Sequence, residues 1–128
     1  MKYLPNIVGG LLGALFIFVS VLVLFKLAPM PPPPPADTLP GMFMGAFGGS
    51  GYMTFVKVCE LLGGILVAIP LTRNLGLLVL GPIIVNILAY HIFISSPADL
   101  LNPMIIFIVA ASLYLLYTAR RQFLGLLN

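Results

Sequence analysis

Long runs of apolar residues, separated by short polar or Pro- and Gly-rich segments, dominate the pattern of this chain. A helix rises about 1.5 Å per residue, so about 20 apolar residues cross the ~30 Å hydrocarbon core of a bilayer. Three uncharged runs and a fourth that carries two charges approach or reach that length. The pattern predicts helices at about 6–27, 52–71, 74–95 and 102–119. We therefore predict an all-α fold, an integral membrane four-helix bundle that forms a single membrane domain over residues 1–128.

The first apolar run is longer than the apolar region of a signal peptide, and three more runs follow it. We therefore expect it to remain in the protein as the first span.

The segment between the first two spans, residues 28–51, is the longest predicted loop. It begins with the proline run Pro31 to Pro35, which favours a stiff, extended backbone. It continues as the Gly-rich, apolar piece "GMFMGAFGGSGY", which is too short to cross a membrane. We expect this loop at the outer surface, either as a short interfacial helix over the bundle or as a loosely packed connector.

The distribution of basic residues predicts the topology, because Lys and Arg beside membrane spans concentrate on the cytoplasmic side. Lys26 alone lies on the opposite side from the other basic residues that flank the spans. Those residues are Lys2, Arg73, Arg120 and Arg121. The bias predicts that both termini are cytoplasmic.

Composition excludes several classes of function. The chain is 61% hydrophobic and only 7% charged, whereas soluble domains carry roughly 25% charged residues. The lipid bilayer is therefore the expected partner, and no clustered basic face indicates nucleic-acid binding. The single cysteine, Cys59, and the single histidine, His91, exclude an intrachain disulfide, a bis-histidine haem and a zinc site with several His and Cys ligands. We predict no metal site.

Ionisable and amide side chains within the spans are the candidate site residues. Lys57 and Glu60 are three residues apart and share a helix face, as do Asn86 and Tyr90, which are four apart. Glu60 lies thirteen residues before Arg73 and Asn86 thirteen after it, so these two residues have similar depths in antiparallel neighbours. The pattern predicts one polar cluster in the outer half of the membrane. We name Lys57, Glu60, Asn86, Tyr90 and His91 as candidate ligand-binding residues and assign no catalytic residue.

Two interpretations of this cluster stay open. Charged residues inside spans are costly to insert, at about 2.5–3.5 kcal/mol each, and often mark functional sites. A Lys–Glu pair can also be a purely structural contact between helices. His91 lies near the same depth, but about 140° around the helix from Asn86 at 100° per residue, which lets it face another neighbour.

The sequence resembles the DoxX family of small bacterial membrane proteins. The resemblance is carried by "FKLAP" at the end of the first span, "GYMTFVKVCELLGGILV" in the second and "LGPIIVNILAYHIF" in the third. It extends over roughly residues 7 to 121. It implies a four-helix membrane bundle in the bacterial cytoplasmic (inner) membrane, associated with quinone-linked sulfur oxidation or membrane redox complexes. Lys57, Glu60, Asn86 and His91 match polar positions of the family.

These observations lead to three functional hypotheses. The first is a membrane subunit of a redox complex that binds a quinone or another lipid-soluble ligand in the polar cluster. Quinone would then be its non-covalent cofactor, and other membrane or redox subunits or a second copy of the chain its partners. The second is a non-enzymatic membrane partner or assembly protein in which the cluster is structural. The third is a small transporter, which the few internal polar residues make less favourable.

Overall fold

The computed structural model describes residues 3–27, 29, 32 and 34–127, and no strand occurs within them. The six α-helices in these residues are α1 (Leu4–Leu24), α2 (Leu39–Gly49), α3 (Tyr52–Ala68), α4 (Arg73–Phe93), α5 (Pro103–Thr118) and α6 (Arg120–Leu124). Short 3-10 turns occupy Pro70–Thr72, Pro97–Leu101 and Gly125–Leu127. The predicted all-α class is confirmed.

Two helical segments are long and apolar enough to cross a membrane. They are Leu4–Leu24 and Pro70–Phe93, the latter being α4 with the 3-10 turn before it. Helices α2 and α3 meet this criterion only together, and the chain bends by 78° between them. Helix α5 is apolar but shorter. Length and composition therefore give two membrane-crossing helices in the described residues, or three if the bent pair counts as one span.

Apolar side chains from α1, α3, α4 and α5 meet in one buried core. Leu12 of α1, Val67 of α3 and Leu80 of α4 are each 0% exposed, and Leu115 of α5 is 1% exposed. Phe16, Leu77, Ile84, Ile108 and Ala111 complete the buried cluster. Burying a large aliphatic side chain contributes about 1.5–3 kcal/mol in water. Within a bilayer, close van der Waals packing of such residues holds the helices together.

Helices α1 and α3 approach closely because small residues line their contact. A Cβ atom placed on Gly13 would lie 2.5 Å from the carbonyl oxygen of Gly64 and 2.8 Å from Cβ of Ala68. These separations are shorter than van der Waals contact, so only glycine fits at position 13 without a shift of α3. The Gly9-x-x-x-Gly13 pattern of the sequence thus lies in a contact within the chain.

Arg73 links the first residues of α4 to α1 and α3. Its side chain is buried, and Nε donates a hydrogen bond of 2.9 Å to the carbonyl oxygen of Val67. Its Nη1 donates one of 3.0 Å to Oδ1 of Asn6. Gly9 provides the space for this guanidinium group, because a Cβ there would overlap it. Arg73 therefore joins three helices, whereas the sequence had indicated only a flanking charge.

Helix α2 lies inside the segment that was predicted as the outer loop. Its first turn is capped by Thr38, whose Oγ1 accepts a hydrogen bond of 3.2 Å from the backbone nitrogen of Gly41. Gly51 follows with φ 84°, a left-handed conformation that favours glycine and turns the chain into α3. None of the α2 residues is fully buried. The segment is thus a helix with loose packing, which combines the two interpretations of the loop.

The helix ends differ from expectation at the turn between α3 and α4. Helix α3 ends at Ala68, ahead of Pro70, and α4 begins at Arg73 after Thr72. Asn74 lies inside α4. Asn102 does cap α5, since its Oδ1 accepts a hydrogen bond of 2.9 Å from the backbone nitrogen of Met104. Lys2, Pro31 and Pro33 lie outside the described residues.

The close approach of α1 and α3 yields a stability prediction. We expect Gly13→Ala to destabilise the protein by about 1–3 kcal/mol, the usual cost of overpacking, because the new methyl group meets the backbone of Gly64. Gly10→Ala is the matched control, since a Cβ there meets nothing within 4 Å. Thermal unfolding in a mild detergent measures both variants. Equal melting temperatures for the two variants would contradict the packing described here.

Candidate ligand-binding site

A cavity of about 720 Å³ lies between α2, α3 and α4. Most of its lining is apolar and aromatic, and Phe55 and Phe93 on its edge are largely exposed. The cavity is therefore a cleft that opens to the surroundings of the helices. All five residues named from the sequence line it: Lys57, Glu60, Asn86, Tyr90 and His91. Their role in ligand binding stays a prediction.

Lys57 and Glu60 form an ion pair on the α3 wall of the cavity. Nζ of Lys57 lies 3.0 Å from Oε2 of Glu60, and the side chains are 18% and 6% exposed. The contact lacks hydrogen-bond geometry, and Oε2 has no hydrogen-bond partner among the described residues. The pair joins consecutive turns of one helix. It neutralises charge at the cavity wall and leaves hydrogen-bonding capacity on both groups.

Asn86 and Tyr90 line the cavity from α4 and face the same space as the ion pair. Their four-residue spacing places both side chains on one helix face. The ring of Tyr90 packs against Phe43 of α2 with 4.8 Å between ring centroids. An amide and a phenol therefore stand on the α4 wall, and an ammonium and a carboxylate on the α3 wall.

His91 lines the same cavity but also contacts another element. Its ring meets that of Tyr90 edge to face, with centroids 5.2 Å apart. Its Nδ1 lies 3.6 Å from Oδ2 of Asp99, in the 3-10 turn Pro97–Leu101. The sequence allows His91 to face another neighbour, and its Nδ1 does approach Asp99. The side chain nevertheless shares the cavity with the other four residues.

Sequence reasoning missed the residues that cover the cavity. Phe43, Met44 and Phe47 of α2 line it from above, and the ring of Phe47 packs against Tyr52 at 5.4 Å. The signal available was the i, i+4 spacing of the two phenylalanines in a segment otherwise rich in glycine. Cys59 also lines the cavity and is only partly buried.

Comparison with protein-family models, curated proteins and solved structures finds no significant match to this chain. In residues 3–27, 29, 32 and 34–127, no three His, Cys, Asp or Glu side chains come together as a metal site would require. The functional argument therefore depends on the cavity itself.

The chemistry of the cavity suits a mainly apolar ligand that carries a few polar atoms. Drug-sized ligands occupy pockets of about 300–1,000 Å³ with apolar walls and a few well-placed polar groups. Lys57 can donate hydrogen bonds, Glu60 can accept them, and Asn86 can do both. The cleft is open at its edge, beside helices that are long and apolar enough to cross a membrane.

Covering of the cavity by α2 can be tested with the single cysteine of the chain. We expect Phe43→Ala to increase severalfold the rate at which N-ethylmaleimide modifies Cys59, because the ring contact with Tyr90 is lost. Met42→Ala is the control, since Met42 is 57% exposed and lies outside the cavity. Mass spectrometry of timed samples in detergent gives the rates. The same rate for both variants would show that α2 does not restrict access to Cys59.

Proposed function

We propose that this protein is a DoxX-like membrane subunit of a redox complex that binds a quinone or a similar lipid-soluble molecule. The observation that supports this most directly is the open apolar cavity with Lys57, Glu60, Asn86 and Tyr90 on its facing walls. The resemblance of the second and third apolar segments to the DoxX family points in the same direction.

The proposed arrangement is a multi-pass protein of a bacterial cytoplasmic membrane in which α1, α3, α4 and α5 all cross. Helices α3 and α5 have 17 and 16 residues and span about 24–26 Å, somewhat less than the ~30 Å hydrocarbon core. Local thinning of the bilayer and the flanking 3-10 turns offset a mismatch of this size. Arg120 and Arg121, just after α5, support a cytoplasmic C-terminus, because basic residues beside spans concentrate on that side.

Four polar residues of the cavity have proposed roles in binding the ligand. The ammonium group of Lys57 donates a hydrogen bond to a carbonyl oxygen of the ligand. The carboxylate of Glu60 exchanges a proton, and Asn86 and Tyr90 orient the ring of the ligand. A bound quinone would supply redox chemistry that is coupled to proton transfer. Its electrons would be exchanged with a cofactor of a partner subunit.

The position of the ion pair favours a ligand site over a structural contact. A pair that served only to hold helices together would join two helices. Lys57 and Glu60 belong to α3 alone, so their contact does not link α3 to a neighbour. Placing two charges on one apolar helix is costly, and such residues often mark functional sites. A ligand with polar atoms in the cleft would form hydrogen bonds with them.

Ligand binding by purified protein tests this function. We expect a benzoquinone with a decyl side chain to bind in lipid nanodiscs and to slow the maleimide reaction of Cys59. Lys57→Met should weaken binding about tenfold or more, because a hydrogen bond from a charged donor contributes about 1.5–3 kcal/mol. Lys26→Met is the matched control, since Lys26 lies outside the cavity.

Removing Lys57 alone leaves Glu60 as an unpaired buried charge, so the double variant Lys57→Met/Glu60→Gln is the second test. It removes both charges and should bind as weakly as the single variant while folding normally. Absence of quinone binding by the unaltered protein, or equal affinity in both Lys57 variants and the control, would rule out the proposal.

A further inference from the structure

Asp99 stands at the end of the cavity wall formed by α4. It lies in the 3-10 turn Pro97–Leu101, and its side chain is 51% exposed. The hydroxyl of Ser95 donates a hydrogen bond of 3.0 Å to Oδ2 of Asp99. The carboxylate is therefore accessible to solvent and held in place by a neighbour just beyond the end of α4.

The same carboxylate oxygen approaches the buried nitrogen of His91. Nδ1 of His91 lies 3.6 Å from Oδ2 of Asp99, slightly beyond hydrogen-bond distance. Nδ1 is buried and has no hydrogen-bond partner among the described residues. The His91 side chain as a whole is 20% exposed. Its exposure therefore belongs to side-chain atoms other than Nδ1.

A hydrogen bond from His91 to this carboxylate would determine which ring nitrogen carries the proton. In a neutral imidazole one nitrogen donates and the other accepts, and the partner of one nitrogen selects the form. A carboxylate only accepts hydrogen bonds when ionised, so Asp99 favours the form with the proton on Nδ1. The lone pair then lies on Nε2, which becomes a hydrogen-bond acceptor. Carboxylates orient histidine side chains in this way at many protein sites.

The other polar groups around His91 are compatible with Nε2 acting as a hydrogen-bond acceptor. From α3, the cavity contains Tyr52, Lys57, Cys59 and Glu60, and from α4 it contains Asn86 and Tyr90 beside His91. Glu60 is engaged by Lys57. The α2 residues on the cavity are Phe43, Met44 and Phe47, which do not titrate. An acceptor at Nε2 would thus complement the cationic donor at Lys57.

We propose that Asp99 is a positioning residue that makes His91 a hydrogen-bond acceptor for a ring hydroxyl, so that the cavity binds the reduced, hydroxyl-bearing form of its ligand. This inference rests on the proposed function. A hydroquinone offers hydroxyl groups that donate to Nε2, whereas the corresponding quinone offers only carbonyl oxygens. Lys57 can donate a hydrogen bond to an oxygen of either form. Nε2 of His91, positioned by Asp99, can accept one only from the hydroquinone.

The first experiment needs no ligand. The chain has one histidine, so protein labelled with ¹⁵N-histidine gives the signals of His91 alone. We expect the ¹⁵N shifts in nanodiscs at neutral pH to show a proton on Nδ1. Asp99→Asn should shift the population toward the form with the proton on Nε2, and Asp99→Glu should restore it. Asp37→Asn, at an exposed aspartate outside the cavity, should leave the signals unchanged.

The second experiment measures binding of decyl benzoquinone and of its hydroquinone under anaerobic conditions. We expect Asp99→Asn to weaken hydroquinone binding about tenfold, as the loss of one buried hydrogen bond requires. Quinone binding should change less than twofold, and Asp99→Glu should recover most of the hydroquinone affinity.

The outcomes separate the two proposals. If neither form binds, the proposed function fails, and with it the ligand assigned to His91. If both forms bind and Asp99→Asn weakens them equally or not at all, the hydroquinone preference is overturned while the proposed function stands. If Asp99→Asn leaves the His91 signals unchanged, Asp99 does not position His91.

Discussion

Glu60 carries a buried negative charge on an otherwise apolar helix, and the ammonium group of Lys57 one turn earlier compensates it at 3.0 Å. Without that cation, a carboxylate in this position would carry the full cost of leaving water. Because both residues belong to α3, the compensation does not require a neighbouring helix to close over the pair. The wall of α3 that faces α4 can therefore stay open, and the cleft with its polar groups depends on this local neutralisation.

Packing elsewhere keeps α3 in place while that face stays open. One helical turn beyond Glu60, α3 meets α1 through Gly64, Gly13 and Ala68, where the two backbones approach closely. At the far end of the cleft, Arg73 joins α4 to α3 and α1. Helices α3 and α4 thus pack tightly at one end and diverge toward the other. The aromatic residues of α2 cover the wider end.

The helices and the polar cluster follow from simple features of the sequence. Apolar length predicts the helices, and equal residue counts from Arg73 predict that Glu60 and Asn86 have similar depths. Arg73 itself was interpreted as a flanking charge, because its partners lie in other helices: an amide on α1 and a carbonyl at the end of α3. The covering by Phe43 depends on a 78° bend between α2 and α3, a tertiary feature that a Gly-rich segment does not specify.

The central claim is that the cleft between α3 and α4 holds a lipid-soluble ligand against the Lys57–Glu60 pair. An electron cryomicroscopy structure of the protein in native lipid nanodiscs, with an antibody fragment bound to add mass, tests it most directly. We expect density for an elongated molecule whose polar head lies within hydrogen-bonding distance of Lys57 and whose tail leaves past Phe55 and Phe93. A cleft closed by contact between α3 and α4, or Lys57 turned out toward lipid headgroups, would contradict it.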